Sequence, residues 1–147
     1  MNQVPTPRDP RVARLVAWYE RLTVDSLNDI ERLYRPDARF KDPFNDVAGA
    51  IAIRRVFEHM FATLQAPRFA VVDSVCDERA CLLIWDFEFR RGGGAAMRVR
   101  GASHIEFADD GRVARHRDYW DPAEELYEKL PVLGGLMRWL RRRLRAR

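Results

Sequence analysis

Asp42 ends a short alternating run and is followed by a proline. In Leu33-Tyr34-Arg35-Pro36-Asp37-Ala38-Arg39-Phe40-Lys41-Asp42-Pro43-Phe44 a helix ends, a turn falls at Pro36-Asp37, and a strand runs into Asp42-Pro43. Alternation puts Ala38, Phe40 and Asp42 on one face, with Arg39 and Lys41 on the other. The face carrying Ala38 and Phe40 should look inward, so a carboxylate continues an apolar surface. Such a group is either hydrogen-bonded for structure or held with a raised pKa for proton chemistry. A second cluster lies near the C-terminal end. Ala114, His116, Asp118 and Trp120 share the face of one strand, and Met97, Val99, Gly101, Ser103, Ile105 and Phe107 share the face of the strand before it. His116 and Asp118 have the spacing of a base and its orienting acid, or of a structural hydrogen-bonded pair.

A hairpin must position that cluster. Asp110-Gly111 predicts a two-residue turn. Ser103 then lies opposite Asp118 and Gly101 opposite Trp120, while a slip would put Ser103 opposite His116. Trp85, Phe87 and Phe89 share a face with Leu83, opposite Ile84, Asp86, Glu88 and Arg90. Together these faces make an aromatic and aliphatic wall with few polar groups, as a site for a small apolar ligand requires. Gly101 should leave room in it. Ser103 has no nucleophile-elbow sequence around it and reads as a small inward hydroxyl.

Helices precede the strands. Apolar spacing predicts one from Val12 to about Thr23, and one from an Asp25 or Ser26 cap to about Tyr34. A third runs from Gly49 to Leu64, with Pro67 ending it. Phe69–Val75 and Leu83–Arg90 are strands, Gly92-Gly93-Gly94 is a loop, and a short helix opens at Asp121-Pro122 and reaches Leu130. Residues 1–10 read as an arm broken by Pro5, Pro7 and Pro10, residues 11–130 as the domain, and residues 131–147 as a basic amphipathic helix. The order predicts an α+β fold with helices on one side of a curved, mainly antiparallel sheet.

Composition narrows the function classes. The 147 residues fit one domain, and 47% hydrophobic with 33% charged residues is the balance of a globular core with a solvated surface. The net charge of +4 is local. The last ten residues hold six arginines, and without them 20 of the 26 basic residues stand against 22 acidic ones. That argues against a nucleic-acid surface. No apolar run reaches the roughly 20 residues of a membrane span, and Met1–Pro10 lacks the apolar core of a secretory signal. Cys76 and Cys81 flank the turn Asp77-Glu78-Arg79-Ala80 and read as two thiols in a reducing cytoplasm, with a cross-strand bridge as the alternative. His59 reads as a surface or boundary histidine. No histidine or cysteine spacing supports a metal, and the triple glycine lacks the context of a phosphate loop. On the last helix Leu133, Leu136, Met137, Leu140 and Leu144 form a stripe beside Arg138, Arg141, Arg142 and Arg145. This predicts packing on the domain or on a dimer mate, with a membrane-surface or anionic partner as the alternative.

The chain resembles a known family in Trp18-Tyr19-Glu20, the Leu33–Phe44 run, Gly49 opening a helix, and the hairpin from Asp110-Gly111-Arg112 to Asp118-Tyr119-Trp120. It looks like the SnoaL-like branch of the nuclear transport factor two superfamily, which includes ketosteroid isomerases and polyketide cyclases. The resemblance spans about residues 12–125. It implies a cone-shaped barrel with a pocket between helices and sheet, a homodimer, and no cofactor. Asp42 matches the general base of the isomerases. The helix-one oxyanion donor falls on Trp18 or Tyr19, and the strand donor falls on Ser103, which is not an acid. His116 and Asp118 match polar positions of the cyclases, and Trp120 matches a pocket tryptophan. The implied activity is cofactor-independent proton transfer on a small hydrophobic carbonyl compound. Asp42, Tyr19, His116 and Asp118 would be catalytic, and Trp18, Trp85, Phe87, Phe89, Ser103 and Trp120 would bind substrate. The alternative is a ligand-binding or interaction module without catalysis.

Overall fold

A computed structural model describes residues 7–125 and 131–144, with the side chains of residues 131 and 132 left aside. The expected arm and the distal part of the short helix lie largely outside those residues. Helix α1 spans Pro10–Glu20, followed by a 3-10 turn at Asp25–Asp29, α2 at Ile30–Leu33, β1 at Tyr34–Lys41, β2 at Asp46–Ala48 and α3 at Ala50–Thr63. Four strands follow: β3 at Gln65–Cys76, β4 at Ala80–Arg90, β5 at Met97–Phe107 and β6 at Val113–Tyr119. Helices α4, Pro122–Glu125, and α5, Pro131–Leu144, end the described chain.

The six strands form one curved sheet in the order β2-β1-β6-β5-β4-β3. Only β1 and β6 pair in parallel; the other neighbours are antiparallel. The fold is α+β as expected, and the sheet is curved but not closed into a barrel. Its concave side receives α1 through Val12 and Leu15, and α3 through Ile53 and Phe57, all buried. Each such side chain is worth about 1.5–3 kcal/mol of transfer free energy, so these stripes hold the helices in place.

Local chemistry sets the element ends. Asp9 caps α1 by accepting the Arg11 N–H at 2.9 Å. The cap expected at Asp25 or Ser26 is a reciprocal pair instead. Thr23 Oγ1 accepts from Ser26 N and Ser26 Oγ accepts from Thr23 N, so Thr23 opens the segment. The turn expected at Pro36-Asp37 is a bulge inside β1, between the pairs Tyr34↔Val113 and Arg39↔Arg115. Tyr34 therefore begins a strand rather than ending a helix. Helix α3 stops at Thr63, before Pro67, which lies in an irregular stretch of β3 between Gln65 and Arg68.

The β5–β6 hairpin reaches its expected register by a different route. Its loop holds three residues, Asp109-Asp110-Gly111, closed by the Ala108 N–H to the Arg112 carbonyl at 2.8 Å, with Gly111 at φ +80°. A two-residue loop was expected; the third residue displaces the pairing by one. A bulge at Ala114 displaces it back, so that Phe107 pairs with Val113 but Glu106 with Arg115. Ser103 consequently lies opposite Asp118, and the register with Ser103 opposite His116 is not formed. The bulge also makes Val113, not Ala114, the buried residue at the start of β6.

Two further expectations are corrected. Cys76 and Cys81 are register partners at the end of the β3–β4 hairpin, and their sulfurs are bonded, so the two are not free thiols. Helix α5 does not bury its stripe on the domain. Leu133, Leu136, Leu140 and Leu144 are exposed and Met137 is half-buried, and among the described residues the helix meets chiefly α4, where Arg141 pairs with Glu124 at 3.3 Å. Among the described residues no helix is long and apolar enough to cross a membrane.

Candidate active site

The alternation of β5 and β6 delivers Ser103, His116 and Asp118 to the concave side, where α1 and the start of β1 supply Tyr19 and Tyr34. His116 is 2% exposed and is held at both ring nitrogens. Nε2 lies 2.6 Å from Asp118 Oδ1. A carboxylate has no proton to give, so Nε2–H donates, and Nδ1 is left to accept. Nδ1 lies 2.7 Å from the Tyr34 hydroxyl and 3.0 Å from that of Tyr19, and the two hydroxyls also bond each other. On the other side Ser103 Oγ donates to Asp118 Oδ1 at 2.5 Å, and the Trp85 indole N–H donates to Ser103 Oγ at 2.8 Å. Six side chains from five elements thus form one hydrogen-bonded chain with Asp118 near its middle.

Burial pushes both tyrosines' ionisation well above the ordinary phenol range. The Asp118 charge acts in the same direction on each. Their hydroxyls therefore remain protonated, which fits Tyr34 O–H donating to the single lone pair of His116 Nδ1 and Tyr19 O–H donating to the Tyr34 oxygen. Among the described residues no buried side-chain polar atom lacks a partner.

Two spaces adjoin Asp118. The inner cavity, about 20 Å³, is bounded by Tyr19, Phe57, Phe69, Val71, Trp85 and His116 among others, and has room for about one water. The outer cleft, about 530 Å³, is open and is lined by Lys41, Asp42, Pro43, Arg117, Asp118, Tyr119 and Trp120. Asp118, its side chain 17% exposed, belongs to both.

Each expected site residue can now be placed. Tyr19, His116, Asp118, Ser103 and Trp85 meet at the inner cavity. Trp18 does not line it: its indole N–H donates to the Ser26 carbonyl at 3.0 Å and its ring packs edge-on to Tyr19 and Phe57. Phe87 and Phe89 lie off the cavity in an aromatic row, Phe87 stacking on Phe69 at 4.4 Å between centroids. Trp120 lines the cleft and packs edge-on to Phe44. Asp42 reaches the cleft rim, but its carboxylate is engaged locally. Oδ1 accepts from Phe44 N at 2.7 Å and Asn45 N at 2.6 Å, and Oδ2 from Asn45 Nδ2 at 2.9 Å. This is a turn-closing aspartate. The room expected over Gly101 is filled by the Trp85 ring. Tyr34 is the site residue missed by sequence reasoning; the signal available was a tyrosine on the apolar spacing of Ile30 and Leu33, whose hydroxyl must find a partner once buried.

The SnoaL-like domain family matches residues 15–116. This chain belongs to that family. The matched segment carries the second half of α1, β1 and the sheet up to His116, so it includes most of the hydrogen-bonded chain just described. Among solved structures, this SnoaL-like domain is similar to a protein with a ketosteroid isomerase-like fold from Catenulispora acidiphila in complex with trimethylamine. The two share 12% identity over 84% of this chain and 92% of the other, with a TM-score of 0.68. It is similar to a protein described as a SnoaL-like polyketide cyclase from Shewanella putrefaciens, at 15% identity over 82% and 98%, TM-score 0.67. It is also similar to an LEH-like epoxide hydrolase from M. tuberculosis, at 16% identity over 90% and 93%, TM-score 0.65. At these identities the likeness shows the fold. No curated protein matches the chain. Among the described residues no group of histidine, cysteine and carboxylate side chains is placed to hold a metal ion.

Proposed function

We propose that this SnoaL-like domain binds a small, planar carbonyl compound in the outer cleft and moves a proton on it with Asp118 as the base. The observation that carries the proposal is the position of Asp118. It is fixed through Oδ1 by His116 and Ser103, and it borders both the apolar interior and the open cleft. Oδ2 would take the proton from the carbon next to the carbonyl as the C–H bond breaks. The electron pair would pass to the carbonyl oxygen, where Lys41 and Arg117 on the cleft wall offer positive charge, and Asp118 would return the proton to the same carbon or, where a C=C bond is conjugated with the enolate, to the far carbon of that double bond as the double bond shifts. Tyr34, Tyr19 and His116 would act as positioning residues that keep the Nε2–H on Asp118. Tyr119 and Trp120 give a ring face to stack against. Asp42, proposed from the resemblance as the base, is here assigned to the rim. Proton transfer of this kind needs no cofactor.

A second reading, a binding module without catalysis, is favoured by one observation: the inner cavity has room for only a water, so the buried chain of hydrogen bonds can serve as structure alone. Hydrogen–deuterium exchange at the carbons beside the carbonyl, followed by NMR over a panel of cyclic ketones, separates the two. Catalysed exchange that falls about 10²–10⁴-fold in Asp118→Asn, but survives in Asp42→Asn, supports the proposal. Ketone binding without exchange favours the module.

A further inference from the structure

Helix α5 presents an apolar stripe to solvent. Leu136 is 51% exposed, Trp139 49% and Leu144 83%, and Leu133 and Leu140 lie between them on the same side. Arginines surround the helix. Arg143 lies within the stripe, over the Trp139 ring at 5.1 Å, Arg141 lies toward the side that meets the protein, and Arg138 and Arg142 lie on the far side of the helix. Gly134 is buried and Arg141 reaches Glu124, so the helix rests on the protein by a different side from its stripe.

We propose that α5 docks the domain on an anionic lipid bilayer, lying in the plane of the interface. The helix is 14 residues, about 20 Å, long. Exposed leucines would enter the headgroup boundary, Trp139 would sit at the level where amphipathic rings settle, Arg143 beside it would reach lipid phosphates, and the remaining arginines would add attraction from farther away. The charge decides between occupants. A second copy placed on this stripe about a two-fold axis would bring the same arginines toward one another. An anionic surface is complementary to them, and each arginine near it strengthens binding about fivefold. With one helix and no second anchor, binding is reversible and salt-sensitive.

Flotation of the full chain tests this, using vesicles of phosphatidylcholine alone or with about a third phosphatidylserine. The chain is expected to float with the anionic vesicles at about 0.05 M salt, not with the neutral ones, and to be released at about 0.5 M. Arg143→Gln should weaken binding about fivefold, and Leu136→Asp with Leu140→Asp should abolish it. A readout without disruptive variants is fluorescence quenching by brominated lipid, which Trp139→Phe should reduce. No flotation with anionic vesicles at low salt overturns the proposal. So does equal binding to neutral vesicles, or a sedimentation-defined dimer that Leu136→Asp dissociates in a chain that binds no lipid.

Discussion

Trp85 lies across Gly101, its partner on the neighbouring strand. A Cβ on Gly101 would come within 2.4 Å of the indole ring. That contact carries the indole N–H to Ser103, and through Ser103 to Asp118. The glycine is thus needed for where the ring lies, on an otherwise regular strand.

Gly101→Ala should therefore destabilise the fold by about 1–3 kcal/mol, the usual cost of overpacking a filled core. Because the displaced ring must leave Ser103, the change should also alter the near-ultraviolet circular dichroism of the buried tryptophan. Urea denaturation and that spectrum check both. Unchanged stability would mean that Trp85 has a second place to lie.

Asp42 can be tested as a turn residue. Its Oδ1 takes both backbone N–H groups, and an asparagine offers the same oxygen. Asp42→Asn should cost little, while Asp42→Ala should cost about 1 kcal/mol through two unmet N–H groups. Thermal melts of the two variants decide. An Asn variant as damaged as the Ala variant would show that the second oxygen, which accepts from Asn45 Nδ2, matters as much as the first.

Asp86 governs acid stability from the other face of the sheet. Hydrogen bonds from Arg100 first, and Arg98 next, lower its pKa to about 2 despite its burial. A depressed carboxyl contributes stability that is present above its unfolded value near 4 and lost as pH falls toward 2. With both arginines half exposed, screening limits this to about 1–2 kcal/mol. Denaturation at pH 7, 4 and 2.5 should show that loss in the wild type, with a flatter profile between pH 4 and 2.5 in Asp86→Asn.

Tyr19 and Tyr34 set the alkaline limit. Their raised pKa values mean that their contribution is intact below the unfolded value near 10 and declines as pH rises above it. Of the four tyrosines, these two should ionise only as the fold is lost. Absorbance titration should show a late step coincident with unfolding, and Tyr19→Phe or Tyr34→Phe should each remove part of its amplitude.

The parts that were legible from sequence follow from period and parity. The face shared by Ser103, His116 and Asp118 needs only alternation, and so does the inward row of Trp85, Phe87 and Phe89. What escaped was set by contacts between distant segments. Tyr34 continues the apolar spacing of Ile30 and Leu33, so nothing local shows that it turns into a strand to meet His116. Gly101 reads as empty space until the rotamer of Trp85 is known. Asp42 has the parity of an inward residue, yet Asn45, three residues on, captures its carboxylate before it can face the interior. The stripe of α5 looks like any core-facing helix, because only the tertiary arrangement tells which stripes find a partner.

The loop at Asp109–Gly111 and the bulge at Ala114 are two one-residue departures of opposite sense, and their cancellation makes strand parity a single point of failure. Deleting one loop residue, or ironing out the bulge, leaves an uncompensated shift of one. His116 and Asp118 would then rotate to the convex side, and Arg115 and Arg117, now exposed, would turn inward. An apolar interior cannot accept two guanidiniums without partners. Length variation in this hairpin should therefore be tolerated only in pairs, with a change in the loop matched by one in the bulge.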